Sequence, residues 1–210
     1  LNNAVQALNV DAPSTTFRSN RWESGVLWGS PTLVQARTNT LAVSNSILGN
    51  GTWLLGSQIF PAGYNVVWDV APRADIASFT TLQDLGWGWS NCLYADPRFA
   101  DGAGGDFHLR STAGRYDTNL AVFVATDTND SPAIDFGDPA AATSNEPSPN
   151  GGRLNAGLFG GTAQASKSRT NAWIQLASYL DGGTLDAQAG AWVRWNAGPY
   201  EPGAQVTIWL

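Results

Sequence analysis

The 210-residue chain has no methionine, one cysteine (Cys92), one histidine (His108) and one lysine (Lys167). A single cysteine cannot close an internal disulfide, so no covalent framework organises the fold and cysteine usage is neutral as to compartment. Charge is scarce as well: 13% of residues are charged, so solubility rests on Asn, Ser, Thr and Gln rather than on ion pairs. Seventeen acidic against eleven basic residues give a net charge of −6. That field repels phosphate backbones and anionic lipid surfaces, which argues against a nucleic-acid partner. No apolar run approaches the ~20 residues of a membrane-crossing helix, so no membrane insertion is expected. The opening LNNAVQALNV lacks a basic region and a cleavage motif. With no initiator methionine and an end at VTIWL, inside what reads as a strand, the sequence is taken as a piece of a longer polypeptide.

What is abundant is glycine (23), tryptophan (10) and β-branched residues, a composition suited to turns and strands. The length allows one all-β domain, or one domain and a fragment. Internal similarity gives the organisation. The pentads SGVLW, SNSIL, YNVVW and SNCLY start at residues 24, 44, 64 and 90, at intervals of 20, 20 and 26 residues. Asn45, Asn65 and Asn91 hold the second place and Gly25 holds it in the first pentad. One short apolar strand per twenty-odd residues suits stacked coils that bury their side chains only against neighbours. Asn at a fixed place suits a left-handed bend and a stacked hydrogen-bond ladder, and Gly25 fits the same bend. The expected fold is all-β: a right-handed parallel β-helix over residues 1–168, including a closing segment, then antiparallel strands of an incomplete β-sandwich-like module over 169–210. In the latter, AWVRW and QVTIWL alternate apolar with polar residues around GG and PYEPG turns. The first residues, NNAVQALNV, read as weakly helical, and residues 72–89 as a short helix or side loop.

From Asp96 the motifs DPRF, GGDFHL, SPAIDFGDP and NEPSPNGGRLNAGLFGGTAQA follow one another. Together they resemble the C-terminal end of large exported bacterial and archaeal right-handed parallel β-helix proteins. The resemblance covers about residues 40–168 and implies fold and export: an extracellular or cell-surface location. That group includes polysaccharide lyases, adhesin-like surface proteins and many members with no assigned role. In it the closing motif is structural, so Glu146 and Arg153, with Asn145, Asn150 and Asn155, are expected to tie the last coil shut by hydrogen bonds.

Two function classes follow. The first is a non-catalytic extracellular β-helix scaffold or adhesin-like surface and assembly protein, touching polysaccharide through Trp87 and Trp89, whose spacing of two puts both indoles on one face of a strand. Their other reading is burial inside a wide coil. The second is a fragment of a calcium-dependent polysaccharide lyase or glycoside hydrolase, with Arg110, Arg115 and His108 as base and electrostatic partners and Arg98 beside them. Strand alternation in GDFHLR puts His108 and Arg110 together on the solvent side. Asp101 and Asp106 in DGAGGD, and Asp127, Asn129 and Asp130 in DTND, are calcium candidates because each loop can present several oxygens; otherwise they are turn residues. The scaffold is favoured, because the repeated segments carry no recurring charged cleft. Cys92 falls where the other pentads have Val26, Ser46 and Val66, and reads as a packed small side chain. Asn50-Gly51-Thr52 reads as a tight turn. Unpaired strands in 170–210 are expected to pair with other protein chains.

Overall fold

The computed structural model describes residues 8–10, 20–29, 34–36, 41–52, 59–71, 91–170, 174–176 and 195–197. Among them every regular element is a strand, and no helix is long and apolar enough to cross a membrane. The protein is all-β in these residues.

Strands β1 (Leu8–Val10), β2 (Asn20–Glu23) and β3 (Val26–Trp28) are followed by β4 (Val34–Ala36), β5 (Leu41–Ser44) and β6 (Ile47–Thr52). Then come β7 (Ile59–Gly63), β8 (Val66–Ala71) and β9 (Leu93–Tyr94). The pairings are all parallel and repeat the chain order: β1 with β4, β2 with β5 and β5 with β7, and β3 with β6, β6 with β8 and β8 with β9. Leu8–Val10 are thus strand, not helix, because their backbone groups pair with Val34–Ala36.

All four pentads contribute to one parallel sheet, but the register differs from the sequence alignment by one residue. Val26 faces Ile47, Ile47 faces Val66 and Val66 faces Leu93, so the intervals are 21, 19 and 27 residues. The bend explains the slip. Ser24, Asn45, Tyr64 and Asn91 all have positive φ, between 51° and 59°, and each lies two residues before its strand. Asn45 and Asn91 therefore take the left-handed bend expected of them, as their short polar side chains permit. Gly25 and Asn65 do not; they sit one place later, beside Ser46 and Cys92.

That next place forms a ladder. The backbone N–H of Gly25 donates to Ser46 Oγ at 3.2 Å, that of Ser46 to Asn65 Oδ1 at 3.0 Å, and that of Asn65 to Cys92 Sγ at 3.4 Å. Asn65 Nδ2 donates to Val43 O at 2.7 Å, so this buried amide is used on both sides. Each bend thus satisfies a buried donor with a side chain from the next repeat, which removes the cost of leaving it unpaired.

Both faces of the four-stranded sheet are buried, as is usual for parallel sheets. Leu27, Leu48 and Val67 on one face are fully buried. On the other, Val26, Ile47, Val66 and Leu93 form a stripe joined to Phe99, Phe107, Leu109, Ile134 and Phe136. Gly49 lies in this face between Trp28 and Trp68, where a Cβ would collide with the Trp28 ring. Its absence lets that ring lie flat and meet Phe99 edge-on at 5.0 Å.

After β9 the chain leaves the parallel pattern. β10 (Phe99–Asp101) and β11 (Asp106–Leu109) make an antiparallel hairpin, and β12 (Arg115–Asp117) with β13 (Val122–Val124) make a second, whose tip exposes Leu120 and Val122. β14 (Ile174–Leu176) and β15 (Trp195–Ala197) also pair antiparallel. Residues 131–168 carry no strand yet bury Ala133, Ile134, Phe136, Leu154, Ala156 and Ala165. This closing segment is laid across the face of the parallel sheet: Gly157 donates its N–H to Asn45 O at 2.8 Å, and a methyl added at Gly157 would lie 2.8 Å from Ile47 Cδ1.

Candidate functional site

Two clusters of polar side chains stand out, one around the hairpins and one inside the closing segment. In the first, Asp106 opens β11 and accepts the backbone N–H of His108 at 3.1 Å, while its Oδ1 lies 2.6 Å from His108 Nδ1. With a carboxylate there, the neutral imidazole carries its proton on Nδ1, an assignment that follows from the hydrogen-bond network. Arg115 Nη1 is 3.9 Å from the other oxygen of Asp106, and its Nε donates to Asp127 Oδ2 at 3.2 Å.

His108 is 1% exposed, not on the solvent side. Alternation does separate it from Phe107 and Leu109, but the second face of the hairpin is covered too. The imidazole stacks on Phe159 of the closing segment at 3.6 Å, with Tyr116 of the second hairpin at 5.8 Å. Its Nε2, the atom a general base would use, is buried and has no hydrogen-bond partner. Arg110 is exposed, and its backbone N–H bonds Arg98 O. The structure therefore groups His108 and Arg115 around Asp106 and leaves Arg110 outside that group. A substrate proton could reach His108 only after Phe159 or Tyr116 moved away.

The calcium candidates are engaged by cations and donors of the chain itself. Asp127 Oδ2 accepts Ser111 N at 2.9 Å besides Arg115. Asp130 takes Thr112 N at 2.6 Å and Thr112 Oγ1 at 2.9 Å on one oxygen and Arg169 Nε at 2.6 Å on the other. Asp101 is exposed and accepts Gly104 N at 2.9 Å, and Asn129 is exposed. No group of three or more His, Cys, Asp or Glu side chains converges on a metal position among the described residues. Arg98 is held by its turn: its N–H bonds Asp96 Oδ1 and its Nη1 bonds Asp130 O, both at 2.8 Å. Trp87 and Trp89 lie outside the described residues.

The second cluster joins the closing segment to itself and to the parallel sheet. Glu146 Oε1 accepts the backbone N–H groups of Asn155 and Gly161, each at 2.9 Å. Asn155 Oδ1 accepts Asp135 N at 2.8 Å and its Nδ2 donates to Ser166 O at 2.7 Å. Arg153 donates to Gly137 O at 2.6 Å and Phe136 O at 3.0 Å, and its guanidinium lies over the rings of Tyr64 and Phe136. Asn150 Nδ2 donates to Thr143 O at 3.3 Å. Asn145 is exposed. These contacts run between turns of 131–168 and onto the bends of the repeats, where Asn45 Oδ1 accepts Asp138 N at 2.7 Å.

Asp135, which sequence reasoning gave no role, is buried, has φ 55°, and accepts Ser168 Oγ at 2.8 Å. Burial raises its carboxyl pKa above the usual carboxylate value, against the lowering effects of Ser168 and Arg153. Burial likewise raises that of Glu146, and the nearby Asp135 adds to the shift. A signal was present in SPAID, where an acid stands between apolar residues, but nothing local indicates what it meets. Cys92 is buried, and desolvation pushes its thiol up to about 11, so it is held as a neutral acceptor.

Comparisons with protein-family models, with curated proteins and with solved structures return no match.

Proposed function

We propose that the chain is part of a right-handed parallel β-helix that serves as a non-catalytic extracellular scaffold, of the adhesin-like, surface-assembly kind. The observation that carries the reading is the recurrence of parallel pairing in chain order, with β1, β2 and β3 each followed by its partner in β4, β5 and β6. Connections between parallel strands of one sheet are right-handed in nearly all proteins, which supplies the hand. A scaffold role is supported by the use to which the polar residues are put. Of the arginines named for lyase chemistry, Arg115 bonds Asp127 and Arg98 bonds the carbonyl of Asp130, while the histidine beside Asp106 is stacked under Phe159. Export agrees with the resemblance of the closing motifs. Glycan contact through Trp87 and Trp89, and strand pairing by residues 170–210 with other chains, belong to the same reading.

The test is an ultraviolet assay for unsaturated products with a panel of polyuronates, with and without calcium. The scaffold predicts no absorbance change and, in parallel binding measurements, at most glycan retention. Sustained product formation that Arg115→Ala abolishes in a folded variant would transfer the protein to the lyase class.

A further inference from the structure

We propose that residues 131–168 form a proton-linked strap, which lies closed on the parallel sheet while the buried pair Asp135 and Glu146 retains one proton and loosens when that proton is lost. The argument starts from charge and geometry. Both side chains are 6% exposed. The cation acting on Asp135 is Arg153, whose guanidinium donates to the carbonyls of Gly137 and Phe136. Arg153 also feels Asp138 from its own segment and Tyr64 from the bend of the parallel sheet. With both acids ionised, the two buried negative charges would act on each other, and the guanidinium, already committed to neutral partners, would offset only that of Asp135. Glu146 Oε2 is the atom where this is most acute, since it is buried and has no hydrogen-bond partner. An uncompensated buried carboxylate is costly, and neutralisation is the usual escape.

The two acids hold different parts of the strap. Glu146 anchors Asn155 and Gly161, Asp135 anchors Ser168, and Asn155 links both through Asp135 N. The neighbouring Gly157 is the contact onto Asn45. Ionisation of the pair therefore acts on the bonds that pin residues 155–168. The sign follows from linkage. Carboxyls whose folded pKa is raised contribute stability that is full below their ordinary value near ~4 and disappears as pH rises through the raised value. The strap is accordingly tighter in mild acid than at neutral pH.

Hydrogen exchange on the full chain between pH 4 and 8, corrected for intrinsic exchange rates, tests this. The amides of Asn155, Gly157 and Gly161 should lose protection severalfold over that range, the direction set by the raised carboxyls of Asp135 and Glu146. The amides of Leu27 and Leu48, whose side chains lie on the face of the parallel sheet away from the closing segment, serve as the internal control and should not change. Glu146→Gln, which keeps an oxygen for the two N–H groups without the charge, should flatten the strap's pH dependence, and Asp135→Asn should weaken it. Protection that is flat with pH in the natural chain, or a slope that neither substitution alters, overturns the proposal. Should both variants fail to fold, carboxyl carbon NMR of the natural chain decides: a raised midpoint for either acid sustains the strap, and two ordinary midpoints near ~4 overturn it.

Discussion

The parallel-stranded repeats and the closing segment both bury apolar side chains, yet ladder bonds dominate the backbone pairing of one, and turn bonds with side-chain ties that of the other. In the repeats the main chain pairs with itself, and the bend positions accept Ser, Asn or Tyr at the left-handed place and Gly, Ser, Asn or Cys at the next. In residues 131–168 no strand ladder exists; isolated turn bonds such as Gly137 N–H to Leu154 O are joined by side chains that bond the segment's backbone, Glu146, Arg153 and Asn155. The repeats should therefore tolerate polar variation at their bends, while the closing segment should tolerate little.

The sharpest way to break that contrast is a pair of truncations. Ile47 is fully buried and touches both regions, so Ile47→Ala should cost about 3 kcal/mol by transfer and cavity. Asn155→Ala removes no comparable apolar volume but strands Asp135 N and Ser166 O, and should cost about 2 kcal/mol. Urea denaturation measures both, and an Asn155→Ala chain as stable as the natural one would mean that the closing segment is held by packing alone. A smaller effect is expected at Cys92. Cys92→Ser preserves an acceptor for Asn65 N, as Ser46 Oγ is for Gly25 N two repeats earlier, and should stay within about 0.5 kcal/mol, whereas Cys92→Val should lose about 1 kcal/mol. The same thiol, pushed up to about 11, should not react with a disulfide reagent at pH 8 until the chain unfolds. The smallest effect is expected from calcium. With Asp127 on Arg115 and Asp130 on Arg169, millimolar calcium should move the melting temperature by less than about 1 °C, since a ligand stabilises only as far as it binds the folded chain. A larger shift would show that a cation can displace those arginines.

The same contrast explains what could be read from residues alone. Strand content and the placing of four segments on one parallel sheet were legible, because apolar pentads recurring every twenty-odd residues are a periodic signal. The register was legible only to within one residue. Asn45 and Asn91 supply a left-handed backbone while Asn65 supplies an amide to the ladder, and residue type does not distinguish these two uses. His108 was assigned to the correct side of its strand, but that side is covered by Phe159, some fifty residues on in a segment without period. Calcium loops and arginine-bonded turns likewise use the same acidic residues, and only the positions of Arg115 and Arg169 separate them. The paired role of Asp135 and Glu146 had no local signature, since it depends on Asn155 and Ser168 arriving from elsewhere.

The side-chain ladder at Gly25, Ser46, Asn65 and Cys92 also gives the repeats a polarity that a modular engineer would have to respect. Gly25, Ser46 and Asn65 donate from their backbones toward the C-terminal neighbour, and Ser46, Asn65 and Cys92 accept on their side chains from the N-terminal one. Removing the Asn65 repeat would leave Ser46 N facing Cys92 Sγ, a donor still facing an acceptor. Transplanting the Gly25 repeat into the interior would instead leave the rung before it with a buried N–H and nothing to receive it. Repeats of this chain can thus be shortened from the middle, but their order cannot be shuffled freely, because the ladder works as a one-way grammar.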